Sequence, residues 1–264
     1  PAPSRVDMKR TRAGLISLLL ILAMLLSACG EQRREPELNI IDDKYRNWYE
    51  VFVYSYYDSD GDRIGDLTGL AEKLDYISDL GMNGIWLMPV MPSPSYHKYD
   101  VTDYYDIDPQ YGTLENFSAM LEKAHSLGID VIIDLVLNHT SNEHPWFISA
   151  KSGEDSEYRD WYNWSDSPQD GYAKAGDGYY ECRFVNTMPD LNLDNPEVRA
   201  EIKNILRFWL EDMGVDGFRL DAVTSYYTGN VEKNKEFITW LGDAARAISP
   251  DCYIVGEAWT DLYE

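Results

Sequence analysis

The chain has 264 residues, 44% of them hydrophobic, 26% charged and 13% aromatic. That is a globular composition and excludes a disordered or collagen-like chain. The 46 acidic residues against 23 basic ones leave a formal charge of −23, which argues against a nucleic-acid partner, since phosphate contacts need clustered Lys and Arg.

Lys9, Arg10 and Arg12 precede an apolar run from Leu15 to Leu26, and Ser27-Ala28-Cys29-Gly30 follows. The run is 12 residues long, short of the ~20 needed to span a bilayer as a helix. A basic start, a short apolar stretch and small residues before a cut site predict a secretory signal peptide over 1–28. Met8 is the expected start, with residues 1–7 upstream of it. Leu26-Ser27-Ala28-Cys29 resembles a bacterial lipobox. That implies an exported protein, lipid-anchored to the membrane through Cys29 and facing outside. Residues 29–44 read as a charged tether.

From there strands and helices alternate. Tyr49 to Tyr54 predicts a strand, and an apolar stripe from Leu67 to Leu80 predicts a helix stopped by Gly81. Gly84 to Met88 is a strand, Leu114 to Leu127 a helix opened by Thr113, and Asp130 to Leu137 an apolar strand interrupted by Asp134. Residues 138–195 break the rhythm with Trp, Tyr, Gly and Asp and no clear helical period. They read as an insertion after the third strand. Asn195 and Pro196 open a helix to Met213. Gly217 to Asp221 is a strand, Val231 to Ile248 a helix and Cys252 to Val255 the fifth strand. Repeated βα units predict an α/β fold with a parallel sheet. A (β/α)₈ barrel has eight strands in ~250 residues. The expectation is therefore a TIM barrel truncated after about its fifth strand, formed by residues 45–137 and 196–264.

Polar residues gather where strands end: Asn138 and His139 after the third, Arg219 and Asp221 at the fourth, Glu257 at the fifth. In a barrel those ends share the face that carries active sites. Asp221 and Glu257 lie on neighbouring strands, and a pair of carboxylates suits glycoside hydrolysis, one as nucleophile and one as acid/base. Arg219, two residues earlier on the same side, is expected to hold Asp221 ionised. Asp58, Asp60, Asp62 and Asp66 crowd one short loop with Gly61 and Gly65. Such a loop wraps a hard cation in oxygen, and the ligand set read from it is those four carboxylates and the Ile64 carbonyl, around Ca²⁺. Tyr96, Tyr99, Trp146, Trp161, Trp164 and Trp259 fall in loops or at strand ends, where rings either stack on sugars or pack. Cys182 and Cys252 are expected as buried free thiols.

Asp134-Leu135-Val136-Leu137-Asn138-His139, Gly217-Phe218-Arg219-Leu220-Asp221-Ala222, Gly256-Glu257-Ala258-Trp259 and Met188-Pro189-Asp190-Leu191-Asn192 resemble four ordered motifs of the alpha-amylase family, glycoside hydrolase family 13. The MPDLN version is similar to the group between oligo-1,6-glucosidases and neopullulanases. The resemblance implies that 138–195 is the family's inserted domain B. It makes Asp221 the nucleophile and Glu257 the acid/base. Arg219, His139, Tyr99 and Trp259 become substrate-binding, and Asn138 and Asp190 holders of a second calcium. The family's third essential carboxylate follows the seventh strand, so the chain as it stands is expected to be inactive alone. Thr224-Ser225 stand where many amylases have Lys-His, which weakens that second calcium site. Ala222 and Tyr96 depart from the oligo-1,6-glucosidase pattern, which favours α-1,4 bonds of starch and maltooligosaccharides. Open alternatives are a cyclomaltodextrinase, a neopullulanase, a 4-α-glucanotransferase, a non-catalytic glucan-binding lipoprotein and an inactive fragment.

Overall fold

The computed structural model describes residues 46–258. The predicted leader, the tether, Cys29 and Trp259 lie outside the described residues. Five parallel strands carry the fold: β1 (Trp48–Val51), β2 (Gly84–Leu87), β3 (Asp130–Leu135), β7 (Gly217–Leu220) and β8 (Tyr253–Gly256). Their order in the sheet is β1-β2-β3-β7-β8, the chain order of the first five strands of a barrel.

Helices between the strands cover the sheet. The chain leaves β1 through a single helical turn, α1 (Val53–Tyr56), and then forms α2 (Leu67–Asp79) and α3 (Leu114–Ser126). Asp66 caps α2 by accepting from the Gly69 amide, and Thr113 and Asn116 close a reciprocal capping box on α3. Leu70, Leu74 and Ile77 of α2 and Phe117 and Leu121 of α3 are buried against the sheet. Each such side chain contributes roughly 1.5–3 kcal/mol by leaving water. Every β3 residue after Asp130 is buried, as a strand covered on both faces requires.

Between β3 and the next barrel helix lies the insertion. It holds α4 (Pro145–Ser152) and an antiparallel sheet of β4 (Trp164–Ser165), β5 (Tyr172–Ala175) and β6 (Gly178–Glu181), in the order β4-β6-β5. The barrel resumes with α5 (Pro196–Arg207), capped by Asn195, and α6 (Val231–Ile248), capped by Asn230.

Three local readings need correction. The strand expected to reach Tyr54 stops at Val51, because the chain turns into α1 so that Gly65 can donate to the Tyr54 carbonyl at 2.7 Å. The helix expected to run unbroken to Met213 changes at Phe208 to a π-helical turn, Phe208–Met213. That wider winding buries the adjacent Trp209 and Leu210 together, and the Trp209 indole donates to the Tyr104 carbonyl at 2.8 Å. The insertion, read as lacking helical period, contains α4. Its aromatics are packing: Trp146 sits 4.1 Å from the His144 ring and 4.7 Å from Trp161, while Phe147 stacks parallel to Trp164. Trp161 is thus buried in the insertion, and Trp146 and Trp164 are half-buried against its core.

Gly217 starts β7 at φ 154°, and a Cβ there would stand 1.8 Å from the Tyr253 carbonyl oxygen of β8. No rotamer relieves a backbone clash. Gly217→Ala is therefore expected to force β7 and β8 apart and to cost more than about 3 kcal/mol, read as a lower midpoint in urea denaturation.

Candidate active site

The parallel register sets Asp134 of β3 beside Arg219 of β7. Side chains two apart on a strand share a face, so Arg219 and Asp221 both point toward Asp134. The Arg219 Nη1 lies 2.9 Å from both Asp134 carboxyl oxygens and 2.9 Å from Asp221 Oδ1. Its Nη2 stands 2.5 Å from Glu257 Oε1 at the end of β8. The guanidinium also faces the Trp86 ring at 5.0 Å and the Tyr99 ring at 5.9 Å. One cation thus ties three carboxyl groups from three adjacent strands.

One positive charge faces three carboxyl groups, and burial of Asp134 and Asp221 works against their ionisation. Burial pushes Asp221 up to about 7; Arg219 opposes the rise and the Glu257 carboxyl beside it adds to it. Arg219 acts on Asp221 in the expected direction, favouring its ionised form, while desolvation works against it. Asp134, fully buried, is likewise pushed up to about 7 by burial, and it accepts from the Tyr99 hydroxyl at 3.0 Å and the Trp86 indole at 3.3 Å.

His139 is buried, and burial pushes its imidazole down to about 4. It is therefore neutral near pH 7. Its Nε2 faces the Tyr99 carbonyl at 3.2 Å, and a carbonyl only accepts, so Nε2 carries the proton. Asn138 donates to Asp190 at 3.2 Å, which joins the end of β3 to the insertion. Burial pushes Asp190 up to about 7. Ala222, directly after Asp221, sits at φ 50°, a left-handed conformation unusual for a residue with a Cβ. Its amide donates to Glu257 Oε2 at 3.3 Å.

The acidic loop folds as a nest of side-chain to backbone bonds. Asp58 accepts from the amides of Asp60, Gly61 and Arg63, and Asp66 from Ser59 and Gly69. The Gly61 amide is the main reason the Asp58 carboxyl lies below its usual range. Asp58, Asp60 and Asp66 each bring one oxygen within 4.8 Å of the others. Asp62 is outside that cluster and accepts from the Ile64 amide at 2.7 Å.

A model of the alpha amylase catalytic domain matches residues 50–264. The chain belongs to the alpha-amylase family. It is 52% identical over 229 residues to Alpha-amylase 3 of Dictyoglomus thermophilum, a match covering 83% of this chain and 45% of that protein. It is 43% identical over 191 residues to an oligo-1,6-glucosidase of Parageobacillus thermoglucosidasius, covering 66% of this chain and 34% of the relative. Among solved structures, Eubacterium rectale Amy13B superposes with a TM-score of 0.81 at 54% identity, covering 84% of this chain and 45% of that one. The chain therefore spans less than half the length of these relatives.

The five parallel strands among the described residues form the first part of the family's barrel, and the structure draws Arg219, Asp221, Glu257, His139 and Tyr99 together on its strand-end face. Reading by residue type gave no role to Asp134 or Trp86. The signal for Asp134 was present: it is the one charged residue between Val131 and Leu137. Trp86 carried none, because a tryptophan in a buried strand reads as core. Cys182 and Cys252 are buried free thiols, as expected.

A carboxyl whose pKa is higher folded than unfolded adds stability fully below its unfolded value, and loses it as pH rises through the folded value. For Asp134 that window runs from about 4 to about 7. Asp134→Asn is expected to gain stability relative to the natural chain as pH rises across it, by on the order of 1–3 kcal/mol. Urea denaturation of both proteins from pH 4.5 to 8 checks this, and a difference that falls with pH contradicts it.

Proposed function

We propose that the protein is an exported, lipid-anchored α-amylase-type hydrolase that cleaves α-1,4 bonds of starch and maltooligosaccharides with retention. The observation that carries the reading is the Arg219 guanidinium joining Asp221 and Glu257 on adjacent strand ends. Glu257 gives its proton to the glycosidic oxygen while the Asp221 carboxylate attacks the anomeric carbon. The bond to the leaving sugar breaks, and a glucosyl ester forms on Asp221. Water then gives a proton back to Glu257 and its oxygen releases the sugar. Arg219 stabilises the carboxylate form of Asp221 for the attack. Neutral His139 and the Tyr99 ring bind the sugar that is attacked, and Trp259 adds a substrate contact. Ala222 and Tyr96 favour α-1,4 over α-1,6 cleavage.

A test is hydrolysis of soluble starch by the full-length protein. Asp221→Asn and Glu257→Gln are each expected to lower kcat by at least about 10³-fold. Starch cleavage at the natural rate by either variant overturns the assignment. Pullulan cleavage or transfer products would instead support the neopullulanase or glucanotransferase alternatives.

Calcium belongs to the same reading. Asp58, Asp60 and Asp66 supply the clustered hard oxygens it prefers, and Asp62 and the Ile64 carbonyl stand in the same loop. Asn138 and Asp190 are the weaker second pair. Calcium bound there stabilises the loop that leads from β1 into α2, since Asp66 also caps that helix. Chelation is expected to lower Tm by several degrees, with recovery on added Ca²⁺, and Asp58→Asn with Asp60→Asn to abolish the response. An unchanged Tm on chelation removes the metal from the reading.

A further inference from the structure

Among the described residues, three that carry a side chain hold a positive φ: Arg63, Lys98 and Ala222. Ala222 follows Asp221, and Arg63 lies in the acidic loop. Lys98, at φ 65°, lies in the loop after β2, directly before Tyr99. A left-handed backbone disfavours any residue with a Cβ, whereas glycine adopts it freely. Such strain persists only where its surroundings determine it fully.

The Lys98 side chain supplies that determination. It is 2% exposed, and a lysine is almost never buried so deeply unless it is paired. Its Nζ lies 2.8 Å from Asp108 Oδ2, donates to Gln110 Oε1 at 2.7 Å and faces the Tyr111 ring at 5.5 Å. Asp108, also buried, accepts the Ser93 amide at 3.1 Å and the Gln110 amide at 3.0 Å. The turn around Asp108 is tied to the barrel in its own right. The Asp108 amide donates to the Val90 carbonyl at 2.8 Å, and the Tyr111 carbonyl accepts the first amide of α2 at 3.0 Å. One buried cation therefore pins the loop after β2 to the turn that leads into α3.

Tyr99 is the next residue. Its hydroxyl donates to Asp134 at 3.0 Å, its carbonyl lies 3.2 Å from His139 Nε2, and its ring stands 5.9 Å from the Arg219 guanidinium. Within the loop, His97 Nδ1 accepts the Tyr99 amide at 3.1 Å, and the Ser93 and Ser95 hydroxyls donate to Asp100. Those bonds hold the shape of the loop. The Lys98 ammonium sets its place against the following turn.

We infer that Lys98 is a positioning residue for the reaction: its buried link to Asp108 and Gln110 fixes the neighbouring Tyr99 at Asp134 and His139. This rests on the reading of Asp221 and Glu257 as a glucan-cleaving pair. Lys98 touches no reacting atom. Its effect falls on kcat, because misplacing a group beside the attacked sugar by about 1 Å costs up to ~10²-fold in rate.

The test removes the ammonium without stranding its partner. Lys98→Met and Lys98→Gly are each combined with Asp108→Asn in the full-length protein, so that no buried carboxylate is left unpaired. Glycine also relieves the left-handed backbone, which separates strain from the ionic link. With maltoheptaose, well below the Tm of each variant, kcat is expected to fall roughly 10- to 100-fold while KM changes by less than about threefold. Asp108→Asn alone keeps the ammonium and its bond to Gln110, and is expected to lose less. A crystal structure of the glycine double variant is expected to show the Tyr99 hydroxyl out of hydrogen-bond reach of Asp134. A natural kcat in either double variant, a loss confined to KM, or an equal loss in Asp108→Asn alone overturns the positioning role. So does a Tyr99 that stays on Asp134 in that crystal structure. If the natural protein leaves maltoheptaose intact, the hydrolase reading falls, and the crystallographic place of Tyr99 still decides what Lys98 does.

Discussion

The strand-end face of this barrel is organised by one guanidinium. Arg219 touches Asp134, Asp221 and Glu257 at once, and no lysine does that, because a point charge lacks two separated donor arms. Three carboxyls converging without it in a dry site repel one another or stay protonated. With it, they are held in a fixed array that still lacks enough positive charge. That shortage is chemically useful. The proposed reaction asks Asp221 to be ionised and Glu257 to carry the proton, and a single counter-charge shared by two neighbouring carboxyls favours one ionised and one protonated.

The scaffold around the arginine explains its precision. Neighbouring strands supply each partner, and parallel register lines Asp134 up with Arg219 in the sheet. Gly217 lets β7 approach β8 closely enough for Glu257 to reach the same cation. The left-handed turn at Ala222 brings a backbone amide onto Glu257. These devices act on backbone position, so they fix the carboxyls more tightly than side-chain packing alone does. The loop after β2 closes the site from the other side: Tyr99 contacts Asp134 through its hydroxyl and His139 through its carbonyl. The buried Lys98–Asp108 pair anchors that loop.

The insertion and the acidic loop are set apart from this centre but joined to it. Asn138 and Asp190 link the end of β3 to the insertion, so its placement and that of His139 are coupled. Asp66 belongs to the acidic loop and to the cap of α2 at once. An ion bound in that loop thereby acts on barrel stability rather than on the reacting groups.

The order of the barrel strands, the position of the insertion and the two carboxyls that meet at Arg219 were all legible in the sequence. Apolar periodicity, caps such as Thr113 and Asn195, and polar residues at strand ends depend on local spacing, which sequence records directly. Four ordered motifs gave the family. Partnership across strands was not legible. Asp134 pairs with Arg219 across 85 residues, and only register decides that. Nor was the burial of Asp221 readable: residue type says that an arginine is near, and only the fold sets the desolvation that opposes it. The aromatics make the same point. Tyr96, Trp146, Trp161 and Trp164 look alike in sequence, and only the tertiary structure buries Trp161, half-buries Trp146 and Trp164 and leaves Tyr96 open, because exposure is a property of what surrounds a ring and not of the ring itself.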